Sequence, residues 1–303
     1  MPNATDFLVQ AQNTDGGWGY RVSGRMRSPS TNDLEENDRG GERMRGMSYV
    51  EPTAAVLRAL TDPTARARGR DFLLSLQHAD GGWGIAALDS ESGWMTAWAI
   101  IALCAFPQAR EAVARGVQWL LATEGLRVTD PDARRLVLEV DQIDSALSAW
   151  PWQRGDAAWV HPTALAMLAL AAAGEREHAR ARAGVQYLYD RACPEGGWNI
   201  GNPWMLGKKI PATIQDTAVA LLALRAVGVS SDVRQVEQAI EYLRRAVSPA
   251  RTSAELAWGI YALRIWHVDS GDAIARLNVL QRADGSWSGN LFITATAVLA
   301  IKA

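Results

Sequence analysis

Apolar residues recur along this chain in two alternating patterns, and both predict helices. Six segments are apolar on every side and share a Thr-Ala pair (Leu-Ala in one) followed six residues later by Ala-Leu or a close variant. Helices that are apolar all round are buried. The six pairs begin at Thr53, Thr96, Thr163, Thr217, Leu256 and Thr294.

An amphipathic segment precedes each buried one, with charges on one face and in most cases an aromatic-Leu pair such as Phe72-Leu73 on the other. This pattern is typical of helices with one face in water. Two concentric rings satisfy such an alternation best, so the sequence predicts an all-α fold: an (α/α)6 barrel of six inner and six outer helices, as a single domain over residues 1–303. The predicted outer helices cover residues 4–11, 67–77, 110–123, 179–191, 232–247 and 271–281.

The connections between these helices predict a functional face. Links from inner to outer helices are short, whereas three links from outer to inner helices are long, at residues 20–48, 124–160 and 199–212. Long loops in compact domains usually carry function. We therefore expect the site at the rim where the inner helices begin and their positive dipole ends converge.

Composition excludes several classes of protein. The formal net charge is -2 and no block of like charge stands out, so nucleic-acid binding is not predicted. The apolar stretches are too short to span a bilayer, and no leader peptide is read at the N-terminus. With two cysteines, the chain fits a reducing, cytoplasmic compartment. Tryptophan is the outlier, at 13 residues against 4 Phe.

Four of these tryptophans close turns with shared flanks, such as Gln77 followed by Asp80-Gly81-Gly82-Trp83. The glycines supply backbone angles that other residues avoid, and the Gln can bond to exposed backbone groups. We therefore expect these turns to fasten neighbouring helix pairs, and we assign them to the scaffold. Their tryptophans are Trp18, Trp83, Trp198 and Trp287.

The segment from Phe72-Leu73 to Trp83 resembles the QW repeat of squalene and oxidosqualene cyclases, which also occurs in protein prenyltransferase β subunits. The resemblance runs through all six helix pairs. It implies an α/α toroid whose central cavity holds an isoprenoid, here as a divergent member with one barrel. It does not by itself imply which reaction is catalysed, since one fold hosts many functions.

The chain departs from the family's chemical motifs. The proton-donor motif Asp-x-Asp-Asp-Thr-Ala corresponds to the segment that begins at Thr213, where only Asp216 remains and Gln215 takes the place of the acid. An amide cannot protonate an alkene. The Asp-x-Cys zinc ligands of the prenyltransferases are also incomplete, because Ala218 stands where the Cys is required.

Alignment of the inner helices on their Thr position suggests other acids. Glu51 and His161 stand two residues before it, each followed by Pro, in the same register as Gln215. We expect Glu51 to act as a buried acid or base with His161, Asp216 and Glu255 as partners. Two alternatives remain: that these residues only complement helix N-termini, or that Glu51, His161 and Asp216 bind a divalent metal.

Aromatic residues are candidates for the cavity wall, because their ring faces stabilise cations. The alternative is that they simply fill the lumen. Trp150-Pro151-Trp152 is a candidate lid, and the arginines of loop 20–48 with Lys208-Lys209 are candidates to hold a diphosphate. The predicted substrate-binding residues are Trp94, Trp98, Trp204, Gln215, Trp258 and Tyr261.

Together these features favour an isoprenoid-handling enzyme with cyclase-like acid–base and carbocation chemistry, in the isomerase or lyase class, with no required cofactor. The alternatives are a non-catalytic subunit that binds an isoprenoid and a protein partner, like a prenyltransferase β chain, and a metal-dependent enzyme on the same scaffold. Peripheral membrane association, a protein partner and a homodimer are all compatible with these interpretations.

Overall fold

The computed structural model describes residues 3–22 and 46–303, and its regular structure in these ranges is almost entirely helical, so the predicted all-α class is confirmed. A 3-10 turn at Pro107–Ala109 and a hairpin of two-residue strands, β1 (Trp204–Met205) and β2 (Lys208–Lys209), complete it. The helices are α1 (Ala4–Gln10), α2 (Val50–Ala59), α3 (Pro63–Ser75), α4 (Met95–Leu103), α5 (Arg110–Ala122), α6 (Pro131–Asp141), α7 (Val160–Ala172), α8 (Ala179–Asp190), α9 (Ile214–Ala226), α10 (Arg234–Val247), α11 (Ser253–Ile265), α12 (Gly271–Val279) and α13 (Leu291–Lys302).

The six apolar segments form a closed ring. Helices α2, α4, α7, α9, α11 and α13 each pack against the next, and α13 packs against α2. Their Thr positions are completely buried, and the Leu that replaces Thr at position 256 is 1% exposed. Helices without a polar face are stable only in such an enclosed position.

The amphipathic helices α1, α3, α5, α8, α10 and α12 pack outside this ring. Helix α3 begins at Pro63, four residues before its predicted start, because Asp62 accepts a hydrogen bond from the Ala65 N–H at 2.7 Å and Pro suits the first turn. Helix α6 was not predicted. It lies in a long connection, Asp130 caps it, and none of its residues is buried.

The Gly-Trp turns connect outer to inner helices through the same two tryptophan bonds each time, and three of the four turns add bonds from a Gln side chain. The Trp83 backbone N–H donates to the Thr96 hydroxyl at 2.9 Å, and its indole N–H donates to the Leu73 carbonyl at 2.7 Å. Gln77 donates to the carbonyls of Gly81 and Ala112. The predicted scaffold role is therefore confirmed by contacts to both helices of the pair.

Trp150 corrects one prediction, because it is not part of a lid. It is 2% exposed, its N–H donates to Thr163 at 3.1 Å, and its indole donates to the Leu120 carbonyl at 2.8 Å. It therefore occupies the same position as the Gly-Trp tryptophans, although Ala149 replaces the preceding glycine. We call Trp18, Trp83, Trp150, Trp198 and Trp287 the staple tryptophans.

The connections differ as expected at the two ends of the ring. Links from outer to inner helices span residues 11–49, 76–94, 123–159, 191–213, 248–252 and 280–290, whereas the reverse links are short. The elaborated rim therefore lies where the inner helices begin. No helix in the described ranges is long and apolar enough to cross a membrane.

Candidate functional site

A cavity of about 510 Å³ opens at the elaborated rim, and we call it the mouth cavity. Its walls are formed by the starts of α2, α4, α7, α9 and α11, together with one residue of the connection at 123–159. Six predicted site residues meet here: Glu51, Trp94, His161, Gln215, Asp216 and Glu255. The other lining residues are Trp152, Thr213 and Ile214.

Glu51 lies in the first turn of α2 and faces the mouth cavity. The Tyr20 hydroxyl donates a hydrogen bond to its Oε2 atom. Burial raises the pKa of the Glu51 carboxyl above its ordinary value, whereas the Tyr20 bond and the nearby His161 act in the opposite direction and lower it. Burial raises the pKa of Tyr20 as well, and the adjacent Glu51 adds to that effect.

His161 pairs with Asp216 across the boundary between α7 and α9. Its Nδ1 atom lies 3.5 Å from Oδ1 of Asp216, and the imidazole is almost completely buried. The Trp152 ring stacks on the imidazole, with centroids 5.4 Å apart and planes inclined by 21°. The other oxygen of Asp216 accepts a hydrogen bond from the Thr213 hydroxyl at 2.8 Å. The Asp216 carboxylate at one edge and the Trp152 ring on one face therefore fix the orientation of the His161 imidazole.

Trp94 and Trp152 form an aromatic corner in the wall. Their ring centroids are 4.6 Å apart and nearly perpendicular, and the Trp94 N–H donates to the Trp152 carbonyl at 3.1 Å. Sequence reasoning predicted Trp152 as a lid residue and gave Tyr20 no role. Both lie in long connections without helical register, so their spacing could not place them.

Thr213, Gln215 and Glu255 are the exposed members of the wall. The Glu255 carboxylate accepts a hydrogen bond from the Thr252 hydroxyl at 2.7 Å and completes a capping box at the start of α11. The helix-end alternative therefore describes Glu255 well. Glu51 differs, because its helix has no side-chain cap and its carboxyl bonds to Tyr20 instead.

Four predicted substrate-binding residues lie outside the wall of the mouth cavity. Trp98 and Trp258 pack against Phe292, with centroid distances of 5.7 and 6.1 Å, and so they fill the ring about one helical turn further in. Tyr261 accepts a hydrogen bond from Arg58 at 2.9 Å. Trp204 lies in the hairpin, with the Lys209 ammonium 5.5 Å from its ring centroid.

The sequence suggests that the prolines of two inner helices stand at the first helical position, but the structure places them later in the first turn. Helices α2 and α7 begin at Val50 and Val160, so Pro52 and Pro162 occupy the third position. The additional residues are helical because Val50 and Val160 donate their N–H groups to carbonyls of neighbouring loops, at 3.0 and 2.9 Å. Pro is still tolerated there, because the first four N–H groups of a helix have no partner within it.

The predicted metal site does not form. Among residues 3–22 and 46–303, no group of three or more His, Cys, Asp or Glu side chains is arranged to hold an ion. Glu51 bonds to Tyr20, whereas His161 pairs with Asp216. Most of loop 20–48, which holds the arginines of the predicted diphosphate site, lies outside the described residues. Lys208 and Lys209 are exposed in the hairpin.

Comparison with known proteins begins with sequence. No protein-family model matches the chain. Over 98 residues, 26% of this chain, it is 39% identical to a squalene–hopene cyclase of Bradyrhizobium diazoefficiens. The match covers 15% of that relative's length.

Solved structures match nearly the whole chain. A type II terpene cyclase, MstE from Scytonema, has a TM-score of 0.63 at 17% identity, with 98% of this chain and 94% of that one covered. Variants of MstE in complex with its substrate, geranylgeranyl dihydroxybenzoate, and with its product, merosterolic acid A, match at a TM-score of 0.63. An alpha-amylase from Clostridium perfringens also matches, with a TM-score of 0.58 at 9% identity over 99% of this chain and 96% of that one. The likeness to these solved structures therefore shows the fold and leaves the chemistry open.

Proposed function

We propose that this chain is an enzyme that cyclises an isoprenoid at the mouth cavity. Its predicted resemblance to the squalene and terpene cyclase superfamily is confirmed by sequence and fold. The reaction starts with transfer of a proton from Glu51 to a double bond of the substrate. The observation that carries this proposal is the position of Glu51: a carboxyl group withdrawn from solvent, facing a cavity, with its pKa raised by burial.

An acid that protonates an alkene must still hold its proton near neutral pH. Burial favours the uncharged form of a carboxyl group and so acts toward this condition. The Tyr20 hydroxyl donates to Oε2, which leaves Oε1 to carry the proton toward the cavity. After transfer, the same hydrogen bond stabilises the new carboxylate, which makes Glu51 a stronger acid than burial alone would allow.

The cation left on the substrate needs a wall that stabilises it without reacting. Trp94 and Trp152 supply aromatic rings, each worth about 0.5–2 kcal/mol per cation contact. His161 accepts the final proton at Nε2, while Asp216 beside Nδ1 stabilises the imidazolium that forms. His161 then releases its proton to solvent and solvent returns one to Glu51, which restores both residues. Because the substrate gains one proton and loses one, the product is an isomer of the substrate.

The architecture supports the same reading. Six inner helices that close a ring, covered by six outer helices, are consistent with the (α/α)6 barrel that the sequence predicts, although we offer this as a proposal. In it, the mouth cavity lies at one end of the lumen. Trp98, Trp258 and Phe292 fill the ring beneath it.

The test is incubation of the purified protein with isoprenoids of different length, with product analysis by mass spectrometry. We expect a cyclic isomer from at least one of them, and a loss of about 10²–10⁴-fold in rate for Glu51→Gln. Glu255→Gln is the matched control, because it changes an exposed carboxylate of the same wall and keeps the capping box. Absence of turnover of any isoprenoid would refute the proposal.

We also propose that the elaborated rim contacts a membrane from which an isoprenoid can enter. Large apolar side chains project from its connections: Leu88 and Leu206 are 86% and 82% exposed, and Ile200 and Met205 are half-exposed. Such residues favour insertion at a lipid interface. We expect Leu88→Asp with Leu206→Asp to abolish sedimentation with vesicles, and equal sedimentation of wild type and variant would refute it.

A further inference from the structure

We infer that the mouth cavity selects an isoprenoid whose enclosed end is a cation, such as a protonated amine, over a neutral one, and that it excludes a diphosphate at that end. This inference rests on the proposed function, because it names the substrate class of the same site. It follows from the charges, the helix ends and the aromatic rings that surround the cavity.

The charged side chains of the wall have one sign. Asp216 and Glu255 contribute two carboxylates, Glu51 contributes a third carboxyl group that holds its proton in the proposed function, and none of the nine described lining residues is Lys or Arg. A diphosphate would need several cationic or N–H partners to replace its hydration. His161 is the one described lining residue that can become positive, and its Nδ1 atom already faces Asp216.

The helix ends do not supply the missing anion partners. Several helix N-termini meet at the cavity, and free N–H groups there would favour an anion. In α9 the Asp216 N–H donates to Thr213 at 3.1 Å, and in α11 the Glu255 N–H donates to Thr252 at 3.2 Å.

The other three helix ends are occupied as well, and before α4 the Trp94 backbone N–H donates to the Trp152 carbonyl. The first N–H groups of α2 and α7 donate to loop carbonyls, and Pro52 and Pro162 carry no N–H at all. Asp216 in the first turn of α9 further offsets the positive dipole end of that helix. The convergence of helix starts therefore provides little attraction for a phosphate.

The aromatic corner favours a cation. Trp94 and Trp152 meet at right angles in the wall, and Asp216 lies within reach of the same imidazole that Trp152 covers. Perpendicular indoles beside a carboxylate are the arrangement that binds ammonium groups through ring quadrupole and charge together. Lys208 and Lys209, which could have opposed this, lie in the hairpin outside the wall.

The test compares three ligands with one geranylgeranyl chain and different ends: a dimethylamine, an alcohol and a diphosphate. Calorimetric titration of the intact protein gives each Kd. We expect the amine to bind about tenfold more tightly than the alcohol, which corresponds to about 1.4 kcal/mol, and the diphosphate to bind more weakly than both. Asp216→Asn and Trp152→Leu should each weaken binding of the amine by a larger factor than binding of the alcohol, and so remove most of the amine's advantage. Glu241→Gln on the outer face of α10 should change neither Kd.

The outcomes separate the inference from the proposed function. Diphosphate binding as tight as that of the alcohol, or an amine advantage that survives in both variants, would overturn the inference while isoprenoid binding still stood. Failure of all three ligands to bind would overturn the proposed function and the inference with it. Circular dichroism of each variant checks that a lost preference does not reflect a lost fold.

Discussion

The staple tryptophans and the mouth tryptophans show how one residue type serves two purposes in this chain. Each of the five staples is at most 2% exposed, and each donates its indole N–H to a carbonyl of an outer helix at 2.6–2.8 Å. Trp94 and Trp152 are only partly buried, and their rings line a cavity.

The difference lies in what remains for a ligand to contact. A staple has its polar atoms paired and its ring enclosed, so it contributes packing and bonds within the fold. Trp94 and Trp152 keep ring surface toward the cavity. The number of tryptophans is therefore no guide to function in this chain, whereas their exposure is.

The largest expected effect is the loss of a staple. We expect Trp83→Ala to lower the free energy of unfolding by about 3–5 kcal/mol, because it empties a buried site and leaves the Leu73 carbonyl without its indole partner. Chemical denaturation measures this. Trp152→Ala should change stability much less but weaken ligand binding; equal losses of stability in the two variants would erase the distinction.

A smaller effect isolates one staple bond. We expect Thr96→Val to cost about 1–3 kcal/mol, because the buried Trp83 N–H loses its acceptor while the side-chain shape is kept. Thr213→Val, at the exposed cap of α9, is the comparison on the cavity side. Its cost in denaturation should be lower, about 1 kcal/mol; a greater cost than that of Thr96→Val would contradict this account.

The Glu51 carboxyl group in the mouth cavity should also make the stability of the protein depend on pH. Because burial raises the pKa of Glu51, the folded state holds that proton more tightly than the unfolded state, and stability falls as pH rises from about 4 through the raised pKa. Glu51→Gln does not titrate. We therefore expect the variant to become more stable relative to wild type over this range, by about 1.4 kcal/mol for each unit by which the pKa is raised. A constant difference across pH would show that Glu51 is not buried in this way.

The smallest effect concerns Tyr20. Its hydrogen bond lowers the pKa of Glu51, so Tyr20→Phe should raise that pKa further while the ring contacts with Tyr49 and Phe292 remain. If protonated Glu51 is the active form, the decline of activity at alkaline pH should move to higher pH in the variant. A pH–rate profile measures the shift, and a move to lower pH would contradict the assigned direction.

The sequence predicted the parts of this molecule that depend on short-range patterns. The repeats around Thr96 and Trp83 define helix pairs, because a buried helix and its turn need the same residues each time. Glu51, His161 and Asp216 were predicted as neighbours because the inner helices share a register. That register placed Trp98 and Trp258 in the lumen as well, but not their depth below the mouth cavity.

The remaining site residues depend on loops, where no period applies. Tyr20 and Trp152 reach the site from connections of the elaborated rim, and their contacts join residues far apart in the chain. The tertiary position of a loop residue follows from packing that one sequence does not reveal. Trp150 shows the same limit in the scaffold, since its staple role appears only from its bonds to Thr163 and Leu120.

The central claim is that Glu51 gives a proton to an isoprenoid in the mouth cavity, and isotope incorporation tests it directly. The enzyme is incubated in D₂O with an isoprenoid that it converts, and the products are analysed by mass spectrometry. We predict a cyclic product that carries one deuterium on carbon, formed by wild type and Glu255→Gln but not by Glu51→Gln. A cyclic product without deuterium, or one formed equally well by Glu51→Gln, would contradict the claim.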